Sequence, residues 1–103
     1  MKVGKIIKAS RKSNGLRQDQ LAKDCDISVT YLSLIESDKK EPSVSTLKAI
    51  SKRLNIPFPI LIFQALTEED IPKSKISLFK MIKDPIDTML KSLEDSQDVD
   101  PKG

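Results

Sequence analysis

The chain has 103 residues, no histidine, no tryptophan and one cysteine, Cys25. That excludes disulfide frameworks, Cys/His zinc sites, iron–sulfur clusters and histidine-based acid–base chemistry, and the three glycines, Gly4, Gly15 and Gly103, are too few for a glycine-rich phosphate cradle. The net charge of +3 is unevenly held: residues 1–65 carry twelve basic and six acidic side chains, residues 66–103 six basic and nine acidic, so a polyanion is the expected partner of the first part.

Helical spacing recurs along the chain, while sustained period-two alternation does not. Val3 and Ile7, four apart, begin an amphipathic segment over about residues 2–14, and Asn14-Gly15 supplies its stop. Leu21, Ala22 and Cys25 form the inner face of a second, short segment from Gln18 to Cys25. Ser28 is the N-cap of a third, with Leu32 and Ile35 as its buried stripe. The charged loop 37–42 follows. Ser43 caps a fourth helix carrying Leu47, Ile50 and Leu54, and Pro57 with Pro59 starts a fifth over 58–66. The expected architecture is therefore all-α, a compact five-helix domain over 1–66.

Beyond residue 66, Ile76, Phe79, Ile82, Ile86, Leu90 and Leu93 continue a helical spacing, which predicts a helical C-terminal extension over 67–95. A proline inside a helix costs about 3 kcal/mol. The extension is therefore expected as two helices, one ending near Lys83 and the next capped by Asp84 with Pro85 in its first turn. Residues 96–103 are polar and are expected as a flexible tail.

The three-residue turn Asp26-Ile27-Ser28 between the second and third segments is the spacing of a helix-turn-helix, whose first helix crosses the phosphate backbone while the second enters the major groove. Ala22 supplies the small residue such a crossing needs. With Leu16-Arg17-Gln18-Asp19-Gln20-Leu21-Ala22, Ile27-Ser28, Tyr31-Leu32-Ser33-Leu34-Ile35-Glu36 and Pro42-Ser43 at matching offsets, residues 3–63 resemble the phage-repressor/Cro-type (XRE) helix-turn-helix family. The resemblance implies a lambda-repressor-like DNA-binding domain and a sequence-specific transcriptional regulator bound to double-stranded DNA.

Position by position, the resemblance makes Gln18 a phosphate-contacting residue and places Val29, Thr30 and Ser33 on the base-reading face. Ser28, Tyr31, Lys39 and Lys40 become backbone contacts. Tyr31 is also suited to packing against the second helix, and Leu34 fits packing as well as base contact. Arg11 and Glu36 match an internal ion pair of the family. Asp26 and Asp38 stand where the family usually has glycine, so both are expected at positive φ. Arg17 stands where a Thr or Ser cap is usual, which predicts a looser start to the second helix. The third helix has no Gln, Asn or Arg for bidentate base contacts, so thymine methyl contacts from Val29 and Thr30, and readout of DNA shape, carry more weight.

The fifth segment carries apolar residues on every side. Ile60, Ile62 and Phe63 are therefore expected to extend to a homodimer interface, shared with the C-terminal segment. The competing reading is a protein-interaction module in which residues 67–95 dock a partner, as an antitoxin docks its toxin. No cofactor is expected. The acidic clusters Glu68-Glu69-Asp70 and Asp84/Asp87 lack histidine and calcium-loop spacing, so no metal is expected. Nor does any nucleophile–base pair suggest an enzyme. The longest apolar run, residues 60–63, is too short to span a membrane, no signal-peptide block follows Met1, and the lone cysteine fits a reducing compartment, so a cytoplasmic protein is expected.

Overall fold

Among the described residues, six α-helices form along the apolar spacing: α1 Gly4–Ser13, α2 Gln18–Asp24, α3 Val29–Glu36, α4 Val44–Arg53, α5 Phe58–Ala65 and α6 Ile76–Gln97, with single 3-10 turns at Glu68–Asp70 and Lys73–Lys75. The structure is a computed structural model and describes residues 1–97. Among the described residues there is no strand, and no helix is long and apolar enough to cross a membrane. The chain divides into two units, residues 1–67 and the segment from 68 onward.

The helix starts in the first unit are satisfied in several ways. Ser28 Oγ accepts from Tyr31 N–H at 3.0 Å and Ser43 Oγ from Thr46 N–H at 3.2 Å, as serine N-caps do. Pro57 and Pro59 sit at the start of α5, where a missing N–H costs nothing. At α2, Arg17 has no acceptor to offer the first turn, but Gln20 Oε1 reaches back to accept from Arg17 N–H at 2.8 Å, giving half of a capping box. At α1, no local side chain caps the helix; Asp38, 34 residues away, places Oδ1 3.1 Å from Gly4 N–H.

The first four helices all stop in one way. Gly15, Asp26, Asp38 and Asn55 each follow the C-cap at positive φ, +71°, +58°, +59° and +59°. In each case the N–H of the next residue returns to the carbonyl five positions back: Leu16 to Arg11, Ile27 to Ala22, Lys39 to Leu34 and Ile56 to Ser51, at 2.9–3.1 Å. These are Schellman closures. Leu16, Ile27 and Ile56 then pack against the core, the apolar staple that accompanies such a closure. Lys39, at the equivalent position after α3, is exposed.

Val3, Ile7, Leu21, Ala22, Cys25, Leu32, Ile35, Leu47, Ile50, Leu54, Leu61 and Ala65 form one buried cluster in the first unit. Fully burying a Leu or Ile is worth about 1.5–3 kcal/mol, so this cluster is the main source of the domain's stability. The N-terminus joins the end of α5 through Lys2 N–H to Ala65 O at 2.8 Å. α1 lies so close to the end of α3 that a Cβ on Gly4 would stand 2.5 Å from Glu36 O and 2.8 Å from Ile35 O.

In the second unit, the expected break at Asp84-Pro85 does not occur: α6 is one helix of 22 residues with Pro85 inside it. Its length is about 33 Å at the usual rise. Pro85 removes a single N–H, while the apolar spacing from Ile76 to Leu93 keeps one period across it, so continuing the helix orders more side chains than breaking it. Thr88 Oγ1 donates to Asp84 O at 3.0 Å beside the proline, and Lys83 and Asp87 bridge the site at 2.9 Å. The helix runs two residues past the expected end at 95. The rest of the expected flexible tail, 98–103, lies outside the described residues.

Candidate nucleic-acid interface

α2 and α3 are the pair that the spacing predicts, joined through Cys25–Ser28. Leu32, Ile35 and Glu36 point inward from α3. On the other side Val29, Thr30 and Ser33 are exposed at i, i+1 and i+4, one continuous patch of a helix surface. Val29 is an apolar residue left 44% open to solvent at the first helical position. Leu34 is half-buried at the edge of this patch. Its carbonyl accepts from both Lys39 N–H and Lys40 N–H, at 2.9 and 3.2 Å, which fixes the following loop to the helix end.

The loop places its cations beside the same face. Lys39 and Lys40 are exposed, and Lys40 Nζ stands 5.7 Å from the centroid of the Tyr31 ring. Tyr31 is half-buried, so its ring packs while it supports that lysine. Ser28 is exposed, and its oxygen is already the acceptor of the α3 cap, leaving its proton to donate.

Behind the pair lies a buried ionic network. Arg11 Nε donates to Glu36 Oε2 at 2.7 Å and Nη2 to Oε1 at 3.1 Å, with the two side chains 9% and 3% exposed. Arg11 Nη1 donates to Leu16 O at 2.8 Å. Gln18 Nε2 donates to Glu36 Oε1 at 3.0 Å. Glu36 therefore ties α1, the α1–α2 turn, the start of α2 and the end of α3 to one carboxylate. Arg11 continues the Val3–Ile7 stripe by four residues, which is why a cation faces inward there. The bond to Glu36 takes one amide N–H of Gln18 and holds its orientation, and the amide carries a second N–H.

Three contacts here go beyond what the sequence implied. Gly4 is needed for the close approach of α1 to α3, and only the tertiary contact reveals it. Arg17, exposed at the mouth of α2, is held by Asp19 Oδ1 at 3.0 Å, and that arginine keeps the Asp19 carboxyl below its ordinary range. Its signal was a cation at a helix N-terminus next to Gln18. Ser43, Ser45 and Thr46 also gather their hydroxyls at the start of α4, with Ser43 Oγ 3.2 Å from Ser45 Oγ and 3.0 Å from Thr46 Oγ1. The expected dimerisation residues lie elsewhere: Ile60, Ile62 and Phe63 are half-buried on α5, and Ile62 packs partly against the core.

An exposed patch on the second helix of a bent pair, flanked by lysines, defines a helix-turn-helix DNA-binding protein. The family model described as Helix-turn-helix matches residues 7–61. The chain belongs to that family. It is similar to an immunity repressor protein of Bacillus phage phi105, 36% identical over 97 residues that cover 93% of this chain and 67% of the relative. The ImmF control region 10 kDa protein of the same phage is 40% identical over 60 residues, 58% of this chain and 67% of that protein. The transcriptional regulator ClgR of Mycobacterium tuberculosis is 33% identical over 63 residues, 61% of this chain and 56% of that one. Among solved structures, a chain of a SinR protein/SinI protein complex has the same fold, with a TM-score of 0.57 and 23% identity over 98% of this chain and 99% of its own.

Proposed function

We propose that this chain is a sequence-specific repressor of transcription that binds a palindromic operator as a homodimer in the cytoplasm, with no cofactor and no catalytic step. The helix-turn-helix family carries the coarser statement, a DNA-binding regulator. Repression is supported by the similarity to the phi105 immunity repressor along nearly the whole chain. The observation that carries the reading is the exposed patch of Val29, Thr30 and Ser33 beside Lys39 and Lys40, on a helix whose rear is locked by Glu36. In this reading those three residues face base edges, and Gln18, Ser28, Tyr31, Lys39 and Lys40 grip phosphates. A two-fold dimer sets two such helices one DNA turn apart, with Ile60, Ile62 and Phe63 and the C-terminal segment as the expected contacts. The competing role, docking of a protein partner through residues 67–95, draws on the same C-terminal segment.

The test is binding to a randomised-site DNA pool followed across a salt series. A protein making about 6–10 phosphate contacts loses about 10³–10⁵ in affinity between 50 and 200 mM salt. Replacing Thr30 and Ser33 by Glu abolishes selection of a preferred site. Salt-independent binding, or an unchanged preference in the Thr30→Glu/Ser33→Glu protein, refutes the reading.

A further inference from the structure

The first eighteen residues carry Lys2, Lys5, Lys8, Arg11, Lys12 and Arg17 and no acid. Arg11 is engaged by Glu36 and Arg17 by Asp19. The lysines of α1 are not so held: Lys5, Lys8 and Lys12 are exposed, and none of them pairs with a carboxylate among the described residues. At about 100° per residue they fall within about 60° of one another, a strip about 10 Å long down one side of the helix. α4 also has three cations and no acid, but there Arg53 binds Asp24 at 2.6 Å and Lys48 Nζ sits 5.5 Å from the centroid of the Phe58 ring. Like charges three and four residues apart repel, so the α1 strip is stabilised by an anion laid along it.

Two contacts place the strip. At one end of α1, Gly4 N–H donates to Asp38 Oδ1 at 3.1 Å, next to Lys39 and Lys40. At the other, Arg11 Nη1 donates to Leu16 O at 2.8 Å, two residues before Gln18. α1 therefore runs from one group of residues read as phosphate contacts to the other. Gly4 and Arg11 mark the side of the helix that meets the end of α3. Lys8 stands about 40–60° round from both, on the flank turned from the buried Val3 and Ile7. A duplex carries one phosphate charge per about 1.7 Å of its axis, so the DNA that α3 engages already offers an anion of the strip's length.

We propose that Lys5, Lys8 and Lys12 form a second phosphate-binding strip, which holds the sugar–phosphate backbone of the duplex beside the helix-turn-helix. The inference rests on the DNA-binding reading above and deepens it by adding α1 to the interface. Lysines gripping phosphates carry no sequence information, so the strip adds affinity on every duplex and leaves the preferred site to α3.

The test compares three forms of the full chain on a duplex selected from the randomised pool and on an unrelated duplex of the same length. They are the unmodified chain, Lys5→Gln/Lys8→Gln/Lys12→Gln, and a control that loses the same charge elsewhere, Lys23→Gln/Lys52→Gln/Lys91→Gln. Glutamine matches lysine in helix propensity, so the helices are kept. Each lost phosphate contact lowers the slope of log affinity against log salt by about 1. The α1 variant is therefore expected to lose about 3 from the slope on both duplexes, with its preference between them unchanged, and the control less than about 1. In a second measurement, lysine acetylation of the unmodified chain is read peptide by peptide by mass spectrometry. The duplex protects Lys5, Lys8 and Lys12 and leaves Lys23 and Lys52 reactive. An unchanged slope in the α1 variant, an equal loss in the control, or acetylation of the three lysines at the unbound rate overturns the strip and leaves that face to an acidic protein. Any of these with the unmodified chain still bound to DNA refutes the strip alone; an unmodified chain that binds neither duplex refutes the operator reading and the strip with it.

Discussion

Replacing Glu36 with Gln removes one charge from the centre of the α1–α2–α3 junction and almost no volume. Glu36 Oε2 takes the Arg11 Nε proton at 2.7 Å, while Oε1 takes protons from Arg11 Nη2 at 3.1 Å and Gln18 Nε2 at 3.0 Å. A glutamine offers one oxygen and one NH₂ there. If its oxygen serves Arg11 Nη2 and Gln18, its NH₂ faces Arg11 Nε, donor against donor; the other orientation sets it against two donors. Arg11 is then a buried cation without its counter-charge. Breaking a buried pair from one side costs about 3–5 kcal/mol, against a total stability of about 5–15 kcal/mol for a domain. With a urea slope of about 2 kcal/mol/M, the midpoint falls by about 2 M. Urea titration followed by far-ultraviolet circular dichroism measures this. The double variant Arg11→Met/Glu36→Leu removes both charges together and is expected to lose much less than Glu36→Gln. A Glu36→Gln loss under about 1 kcal/mol, or a double variant less stable than the single, would show that the carboxylate is not what holds the junction.

Other perturbations have directions set by single contacts. Gly4→Ala drives a Cβ against the carbonyls of Glu36 and Ile35 and lowers stability by about 1–3 kcal/mol; a melting temperature equal to wild type would mean that the two helices separate freely. Asn55 ends α4 at φ +59°, so Asn55→Ala costs about 1 kcal/mol while Asn55→Gly is neutral or stabilising, and equal midpoints for the Ala and Gly variants contradict this. Burial raises the Cys25 thiol above its ordinary range, with the neighbouring Asp24 adding to it. The folded state thus holds that proton more tightly than the unfolded state. The stabilisation is complete below the ordinary thiol pKa and is lost as pH climbs through it toward the folded value. Denaturation midpoints from neutral to alkaline pH show this fall in the native chain and a smaller one in Cys25→Ala; parallel curves exclude it.

Helix positions were legible wherever a local signal sets them. Ser28 and Ser43 cap α3 and α4 through their own following residues, and Val3–Ile7, Leu32–Ile35 and Leu47–Ile50–Leu54 carry the inner faces by spacing alone. Family resemblance led further, to positive φ at Asp26 and Asp38, because a left-handed residue is a local property of the chain. The continuity of α6 was misjudged because a proline's cost is local and fixed, whereas its compensation comes from apolar order on both sides of it.

What the sequence by itself determined, then, is the order of the first five helices, the serine caps of α3 and α4 and the outward patch of α3, all products of interactions spanning four or five residues. The three-dimensional packing alone decided that Asp38 caps α1 across 34 residues, that Gly4 must carry no side chain, and that Gln18 joins Arg11 on one carboxylate. Those choices depend on which atoms meet when separate helices close together. A linear chain holds no record of that until burial has made each unmatched polar group too costly to leave alone.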